Sequence, residues 1–420
     1  MRSLPLPLRH AAFRKLWSAT TLAALGDSIS SVALPLTAIY VLGAGAIESA
    51  LLSAVIWIPS LLFAIPAGVY ADRTGRHRSI LAGANLLRVA VLSSAPIAAA
   101  LGVLTIAQLA AILAVVGLCS VLSNVSESGL FATTLPPELY VSGQAATHTG
   151  QTAALLAGPA ADGLLVQLAG APAAVGVDAA LAVAAAVFVL RLRTYTARHR
   201  APDAVQSRER RPGLTFIRSN PLIRTALSLT ATGNFFNLLF TSVLVWYYAH
   251  TLNLTGAEIG LVFSAQAVGG LAGAAVASRL ARRIGLGRML LVGCVLSHAP
   301  LLLIPAVGAT GGPVLLLVLA ATLAGGVGET VQDISVGSVF ALVVPPQLRS
   351  QTRGAYQTVS FGLRPLGAIA GAALAGVAGI PVALWVGAIG GVLACLWLLP
   401  SPLLSFRGEQ DLADTTVAAR

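Results

Sequence analysis

Lysine is almost absent from this sequence, since Lys15 is the only lysine among the 420 residues. A phosphate-binding P-loop needs a Gly-Lys pair to hold the nucleotide phosphates, and Lys15 follows Arg14. The sequence therefore argues against ATP hydrolysis. It also contains no HExxH metal motif and no recognisable serine or cysteine nucleophile motif, so we predict that the protein is not an enzyme.

Cysteine is scarce as well. The three cysteines, Cys119, Cys294 and Cys395, lie within long apolar segments and none belongs to a CxxC pair. Disulfide frameworks and zinc sites need cysteines that are clustered or regularly spaced. We therefore expect neither a disulfide framework nor a metal site, and nothing in the sequence calls for a cofactor.

Charged residues make up only 10% of the chain and hydrophobic ones 56%, whereas about a quarter of a soluble domain is charged. Apolar segments of roughly 20 residues, long enough to cross a bilayer, recur along the sequence. Helices satisfy the backbone within each segment, and a β-barrel would show short alternating segments instead. We predict an all-α polytopic membrane protein with twelve spanning helices, near 17–42, 48–71, 79–100, 104–130, 142–168, 172–191, 222–249, 257–278, 289–309, 313–341, 351–378 and 381–400.

The net charge of +11 follows a pattern along the chain. If Met1 is cytoplasmic, every lysine and arginine except Arg88 and Arg364 falls in a predicted cytoplasmic segment. Cytoplasmic loops of membrane proteins carry this excess, so the basic charge indicates orientation and not nucleic-acid binding. We expect a multi-pass protein of the cell (inner or plasma) membrane, surrounded by lipid, with both termini cytoplasmic.

The two halves of the sequence resemble each other at a shift near 210 residues. Gly26-Asp27 aligns with Gly233-Asn234, Arg88 with His298, and Asn124 with Asp333. Parallel repeats of this kind are a transporter architecture. We predict two pseudo-symmetric six-helix halves, 1–192 and 221–402, joined by a cytoplasmic linker at 193–220 and followed by a tail at 403–420.

The loop between the second and third predicted helices reads Gly68-Val-Tyr-Ala-Asp-Arg-Thr-Gly-Arg-His-Arg78. It resembles the G-x-x-x-D-R-x-G-R-[RK] signature of the major facilitator superfamily. The resemblance implies the major facilitator fold and secondary transport by alternating access. Glycine at this position permits close helix packing, and the acid with its arginines would form a charge cluster that the halves share in one state. The alternative is a cluster that only anchors the loop. The implied gating residues are Gly68, Asp72, Arg73, Gly75, Arg76 and Arg78.

Shorter matches narrow the resemblance. Gly26-Asp27 followed by Ala33-Leu-Pro-Leu36, and Arg364-Pro-Leu-Gly367, look like the macrolide-efflux and siderophore-exporter branch. The segment that contains Gly158, Pro159, Asp162 and Gly163 is similar to the G-P-x-x-G-G antiporter motif, with the aspartate in place of a glycine. The branch implies export of a moderately hydrophobic small molecule in exchange for protons, and we expect a monomer.

Ionisable side chains within the predicted helices are costly in a membrane and usually mark function. Asp27 lies roughly 15 Å into the first helix and is the first candidate for proton coupling; Glu127 and Asp333 are the others. Asp178 is expected near an outer helix end, where it would be solvated. Arg88 is expected to be structural, because the resemblance makes its helix peripheral.

The distance of each charged residue from the cytoplasmic end of its helix, its axial depth, predicts one ion pair. Glu329 and Arg364 lie roughly 18 and 20 Å from the cytoplasmic ends of the tenth and eleventh helices. The pair is either functional or a permanent link between the two helices. Residues of the seventh helix are the candidates for lining an amphipathic cavity: Asn234, Phe235, Asn237 and Trp246.

Two alternatives to a proton-coupled exporter stay open at this point. The first is a major facilitator importer or uniporter of a sugar or metabolite, which would need more polar midplane residues than this sequence offers. The second is a transport-inactive membrane scaffold or receptor, which would have no need of the Gly68–Arg78 loop.

Overall fold

The computed structural model describes residues 6–136, 139–192, 212–310, 313–345 and 348–407. These residues form helices joined by short turns, and no strand occurs among them. Twelve segments of the described chain are long and apolar enough to cross a membrane, which confirms the predicted all-α polytopic fold. We number them α1 (Ala11–Tyr40), α2 (Ala46–Ala64), α3 (His77–Ala100), α4 (Ile106–Phe131), α5 (Ser142–Ala169), α6 (Ala171–Leu190), α7 (Pro221–Thr251), α8 (Gly256–Ile284), α9 (Leu286–Val307), α10 (Val314–Val343), α11 (Thr352–Ala378) and α12 (Ile380–Trp397).

Two of these segments contain a break in the helix. The α2 region consists of the helices Ala46–Val55 and Ile58–Thr74. The α11 region consists of Arg349–Gly362 and Arg364–Ala378. The second helix of each pair has a proline in its first turn, where the missing N–H leaves no helical hydrogen bond unmade. The break in α11 therefore makes Arg364 the first residue of a new helix.

The region between α6 and α7 contains one short helix, Pro212–Ser219, within the linker predicted at 193–220. Residues 193–211 of this linker lie outside the described part of the chain, as do residues 408–420 of the predicted tail. The predicted linker and tail therefore stay predictions.

The chain divides into two compact units, Met1–Gln206 with Leu254–Ser264, and Ser207–Asn253 with Ala265–Arg420. The first unit therefore contains α1–α6 and the first turns of α8. Within it, α1 packs on α5 and α6, and α3 packs on α4 and α6. Within the second unit, α7 packs on α11 and α12, and α9 on α10. The predicted halves at 1–192 and 221–402 stay a prediction.

Small residues set the closest helix contacts in each unit. In the first, Gly158 of α5 lies against Ser28 of α1. In the second, Gly367 of α11 lies against the carbonyl of Phe235 in α7, and Gly371 lies one turn further on the same face. Helices in membranes approach closely where side chains are small. These contacts determine which face of α1 packs against α5 and which face of α7 packs against α11.

Candidate functional site

Three charged side chains meet inside the first unit, each from a different spanning helix. The Arg88 guanidinium of α3 donates through Nη1 to Asp27 Oδ1 of α1. Its Nη2 donates to Oδ1 and Oδ2 of Asp178 in α6, at 2.9 and 2.8 Å. Ser30 Oγ of α1 donates to Asp178 Oδ2. We call these four residues the Arg88 cluster.

The two carboxylates of the Arg88 cluster differ in exposure. The side chain of Asp178 is 1% exposed and that of Arg88 is 6% exposed, whereas that of Asp27 is 50% exposed. One carboxylate is thus sealed against the guanidinium, and the other has an open side. With all three groups ionised, the cluster carries one excess negative charge.

The local sequence of α1 explains how α6 comes so close. Asp27 and Ser30 are three residues apart and so lie on neighbouring positions of one helix face. Gly26 precedes them, and a Cβ built on this glycine would overlap with Asp178 Oδ1. The absence of a side chain at position 26 therefore makes room for the Asp178 carboxylate.

Substitution of Gly26 by alanine is expected to destabilise the protein by about 1–3 kcal/mol, because the added methyl group displaces the Asp178 carboxylate. The measurement is the thermal unfolding of the detergent-purified protein. Gly83→Ala is the matched control, since a Cβ built on this helical glycine of α3 meets no described atom within 4 Å. Equal stability of the two variants would contradict this account of Gly26.

The structure corrects one of the predictions for the first unit, because Asp178 is buried and not solvated. Arg88 is bound to both carboxylates, and its structural role stays a prediction. Arg78 at the start of α3 donates to the carbonyl of Leu190 at the end of α6, so these two helix ends are adjacent. From that shared end, Arg88 lies roughly 16 Å and Asp178 roughly 18 Å along their helices. The depth comparison applied to α10 and α11 gives these two residues similar depths, but the adjacency of α3 and α6 that it needs comes from the structure.

The second unit holds a related arrangement around Asn234 of α7. The Arg364 guanidinium donates through Nε and Nη2 to Asn234 Oδ1, at 3.2 and 3.0 Å. Asn234 Nδ2 donates to Ser360 Oγ at 2.7 Å, and the Arg364 guanidinium lies 4.7 Å from the centre of the Phe361 ring. Asn234 occupies the repeat position of Asp27. An arginine therefore binds this position in each unit, from α3 in the first and from α11 in the second.

Among the described residues, no salt bridge joins Glu329 to Arg364, so this pair stays a prediction. Glu329 is exposed and its Oε2 accepts from Gln266 Nε2 at 2.9 Å. The helix face of Arg364 explains its contact with α7: Gly367 lies against α7, and Arg364, three residues earlier, is on that same side. Axial depth alone does not give the direction of the Arg364 side chain.

The remaining ionisable and cavity candidates stay predictions. Glu127 is partly buried on α4, and Asp333 is exposed on α10. The ring of Phe235 packs edge-on against Phe236 with centroids 5.1 Å apart. Asn237 is partly buried, and the indole of Trp246 stacks on the His250 ring at 4.3 Å.

The predicted gating loop is a helix end followed by a tight turn. Gly75 has a φ of 61° and ends the helix Ile58–Thr74, with its N–H bonded to Ala71 O at 2.9 Å. A positive φ favours glycine, which explains the residue at this position. Arg73 and Arg76 are exposed, and the Asp72 side chain lies outside the described part of the structure.

Two further residues of the motif differ in their surroundings. A Cβ built on Gly68 meets no described atom within 4 Å, and the close packing expected of this glycine against the other half stays a prediction. Arg78 Nε donates to Val189 O at 3.3 Å, and its Nη2 donates to Leu190 O. A cation at the last carbonyls of α6 satisfies acceptors that a helix end leaves free. The gating role of the motif stays a prediction.

The antiporter-like motif lies in the middle of α5. Gly163 packs against the carbonyl of Gly256 at the start of α8, in the part that belongs to the first unit. Asp162 is 0% exposed, and neither of its carboxylate oxygens has a hydrogen-bond donor among the described residues. Nor does the described chain contain a group of three or more His, Cys, Asp or Glu side chains that could hold a metal ion.

Comparison with known proteins identifies the family of this chain and solved structures with a similar fold. Its residues 3–416 match the family described as transmembrane secretion effectors, while no curated protein matches it. Among solved structures, it resembles a bacterial metal transporter (TM-score 0.68, 14% identity, over 93% of this chain and 98% of the other). It also resembles the nucleoside transporter NupG (0.70, 13%, 93% and 98%) and a bacterial homologue of the human lysosomal transporter Spinster (0.70, 12%, 98% and 99%).

At these identities the solved structures show the fold alone. The family match covers nearly the whole chain, and the twelve candidate membrane spans agree with it. The protein is therefore a multi-pass membrane transporter of the major facilitator type, and it belongs to the family of transmembrane secretion effectors.

Proposed function

We propose that this transporter exports a moderately hydrophobic small molecule in exchange for protons, and that Asp27 carries the proton. The observation that supports it is the Arg88 cluster, in which one guanidinium serves two carboxylates and only Asp27 is open on one side. Export takes place by alternating access across the cell membrane, with both termini in the cytoplasm, as the arginine distribution indicates.

The charge of the cluster explains the choice of Asp27 over Asp178. Unpaired charge within membrane-spanning helices is costly. With Asp27 ionised, the cluster has a net charge of −1. With Asp27 protonated, the Arg88–Asp178 pair that remains is neutral, and it keeps both hydrogen bonds from Nη2 and the one from Ser30. Protonation at the exposed member thus neutralises the cluster without breaking its buried half.

Protonation of Asp27 also changes the attraction between α1 and α3. The ionised carboxylate accepts a charge-assisted hydrogen bond from Arg88, and such bonds are stronger than neutral ones. A neutral Asp27 holds α3 less tightly. The two protonation states therefore favour different arrangements of these helices, which is what coupling to a transport cycle requires. Asn234 at the repeat position cannot titrate, so proton coupling is confined to the first unit unless Asp333 takes part.

The substrate class and direction rest on three observations. The family's description names secretion. The short matches at Gly26–Leu36 and Arg364–Gly367 resemble macrolide and siderophore exporters. The candidate cavity residues of α7 combine amides with aromatic rings, and they suit a molecule that is partly apolar. Phe361 of α11 adds an exposed aromatic ring beside Arg364.

Transport in proteoliposomes with an imposed pH gradient tests the proposal. We expect at least one compound from a panel of moderately hydrophobic drugs and siderophore-like metabolites to accumulate against its own gradient, and a protonophore to abolish the accumulation. Liposomes without protein are the control. Movement of the compounds only down their own gradients, with no response to pH or protonophore, would contradict proton antiport.

A further inference from the structure

Asp162 presents a carboxyl group in an unusual setting. It is 0% exposed, and no described group donates a hydrogen bond to either of its oxygens. Burial of an ionised carboxylate without a partner costs several kcal/mol, and a protein avoids this cost by keeping the group neutral. The proposed role of Asp27 makes no use of this residue.

The packing around Asp162 closes it off on two sides. Gly158, one turn earlier on α5, lies against Ser28 of α1. Gly163 lies against Gly256 of α8, and a Cβ built on Gly163 would be 2.5 Å from the Gly256 carbonyl oxygen. A Cβ built on Gly260 would overlap with the carbonyl of Pro159. Both partner segments belong to the first unit. The carboxyl group therefore lies between two backbone contacts that leave little room.

The charged residues of the helices packed on α5 offer Asp162 no cation. Asp27 of α1 and Asp178 of α6 already share Arg88, and both would have the same sign of charge as an ionised Asp162. Glu258 of α8 is also acidic, and its carboxylate accepts from the backbone N–H and the hydroxyl of Thr255, both at 2.8 Å.

The basic residues of α1 are distant. Lys15 lies roughly 20 Å along the helix from Ser28, and its Nζ donates to Arg191 O at 2.8 Å. Among the described residues, Asp162 thus has neither a salt-bridge partner nor a hydrogen-bond donor. Each of these conditions disfavours the ionised carboxylate.

We propose that Asp162 is a second proton-binding site, which holds a proton while α5 is packed against α1 and the start of α8. When this packing opens to water, the carboxyl O–H bond breaks, the proton passes to water and the carboxylate becomes hydrated. Because the packed arrangement binds one more proton than the opened one, low pH favours packing and high pH favours opening. The inference goes beyond the role of Asp27 and does not depend on it.

Infrared spectroscopy of the purified protein in lipid tests the protonation directly. At pH 7 we expect part of the C=O stretching band of protonated carboxylic acids to disappear in Asp162→Asn, which is isosteric with the neutral acid. Glu258→Gln is the matched control and should leave the band unchanged, because the Glu258 carboxylate already accepts hydrogen bonds from Thr255 N–H and the Thr255 hydroxyl. An Asp162→Asn spectrum that keeps the whole band would overturn the proposal.

A second measurement tests the link to packing. Ala257 packs against Gly163, so a single cysteine at this position, in a protein whose three native cysteines are replaced by alanine, reports opening through its alkylation rate. The rate is divided by that of a cysteine at the exposed Gly45 to remove the pH dependence of the thiol itself. We expect the ratio to rise by up to about tenfold per pH unit while Asp162 is present, and to stay low at every pH in the Asp162→Asn variant.

A ratio that is independent of pH while Asp162 is present would overturn the proposal. Neither measurement uses a transported compound, so failure here is distinct from failure of proton-driven export. An Asp162→Asn protein that unfolds during purification would also count against the proposal, because the amide replaces a neutral acid of the same shape.

Discussion

Asp27→Asn is expected to abolish the accumulation of substrate against its gradient while downhill exchange continues. Asparagine accepts the hydrogen bond from Arg88 through its amide oxygen, as Asn234 does for Arg364 in the second unit, so the variant should fold. It cannot bind and release a proton at cellular pH. The measurement is substrate uptake into proteoliposomes, with and without a pH gradient, at equal protein content.

The same assay on Glu127→Gln separates the two carboxylates proposed for the first unit. If Asp27 carries the proton, Glu127→Gln keeps pH-driven accumulation, and the loss is specific to position 27. Accumulation by Asp27→Asn in response to a pH gradient would show that Asp27 is not the carrier. Loss of accumulation in Glu127→Gln alone would assign the role to α4.

Arg88→Met is expected to cause the largest loss of stability of any single substitution in the Arg88 cluster, about 3–5 kcal/mol. Removal of the guanidinium leaves the Asp178 carboxylate buried without its cation, which is the costly way to break a buried ion pair. Arg78→Met is a matched control, because its described partners are the uncharged backbone carbonyls of Val189 and Leu190. The loss of hydrogen bonds there is expected to cost about 1–3 kcal/mol. Thermal unfolding in detergent gives the comparison.

A double substitution separates charge from packing. Arg88→Met combined with Asp178→Asn removes the uncompensated carboxylate, and we expect it to recover a substantial part of the stability that Arg88→Met loses. Such recovery is a coupling between contacting residues, which double-mutant cycles measure. If Arg88→Met were no less stable than Arg78→Met, the ion pairs of the cluster would not be what holds α3 to α6.

The sequence was sufficient to predict the fold because length and hydrophobicity alone decide which segments can cross a membrane. It was not sufficient to predict the Arg88 cluster. Three intramembrane charges were visible at positions 27, 88 and 178, but hydropathy does not say which helices are neighbours. Gly26 beside Asp27 was the available signal, since a glycine next to a charge in a spanning helix indicates that another chain segment approaches there.

The hydrogen bond from Arg364 to Asn234 was not predictable for a related reason. The rise per residue places two groups at the same height, but contact also requires the correct face of each helix. The helix face of Arg364 could have been predicted from Gly367 and Gly371. These glycines follow Arg364 by three and seven residues, so all three lie on one face, and small residues indicate the face that packs closely against another helix. Asp162 stood out in the sequence only as a departure from a motif. Its complete burial needed the structure.

The contacts at one end of α6 have a mechanical consequence. Lys15 of α1 donates to Arg191 O, and Arg78 of α3 donates to Val189 O and Leu190 O. The helices α1, α3 and α6 are thus joined at this end and again at the Arg88 cluster, roughly 16 Å away along α3. Two junctions separated by that length hold the three helices together as one rigid body. In the proposed mechanism, protonation of Asp27 weakens only the junction at the Arg88 cluster. The helix end beside Leu190 then acts as the pivot, and the displacement of α1 relative to α3 increases with distance from it.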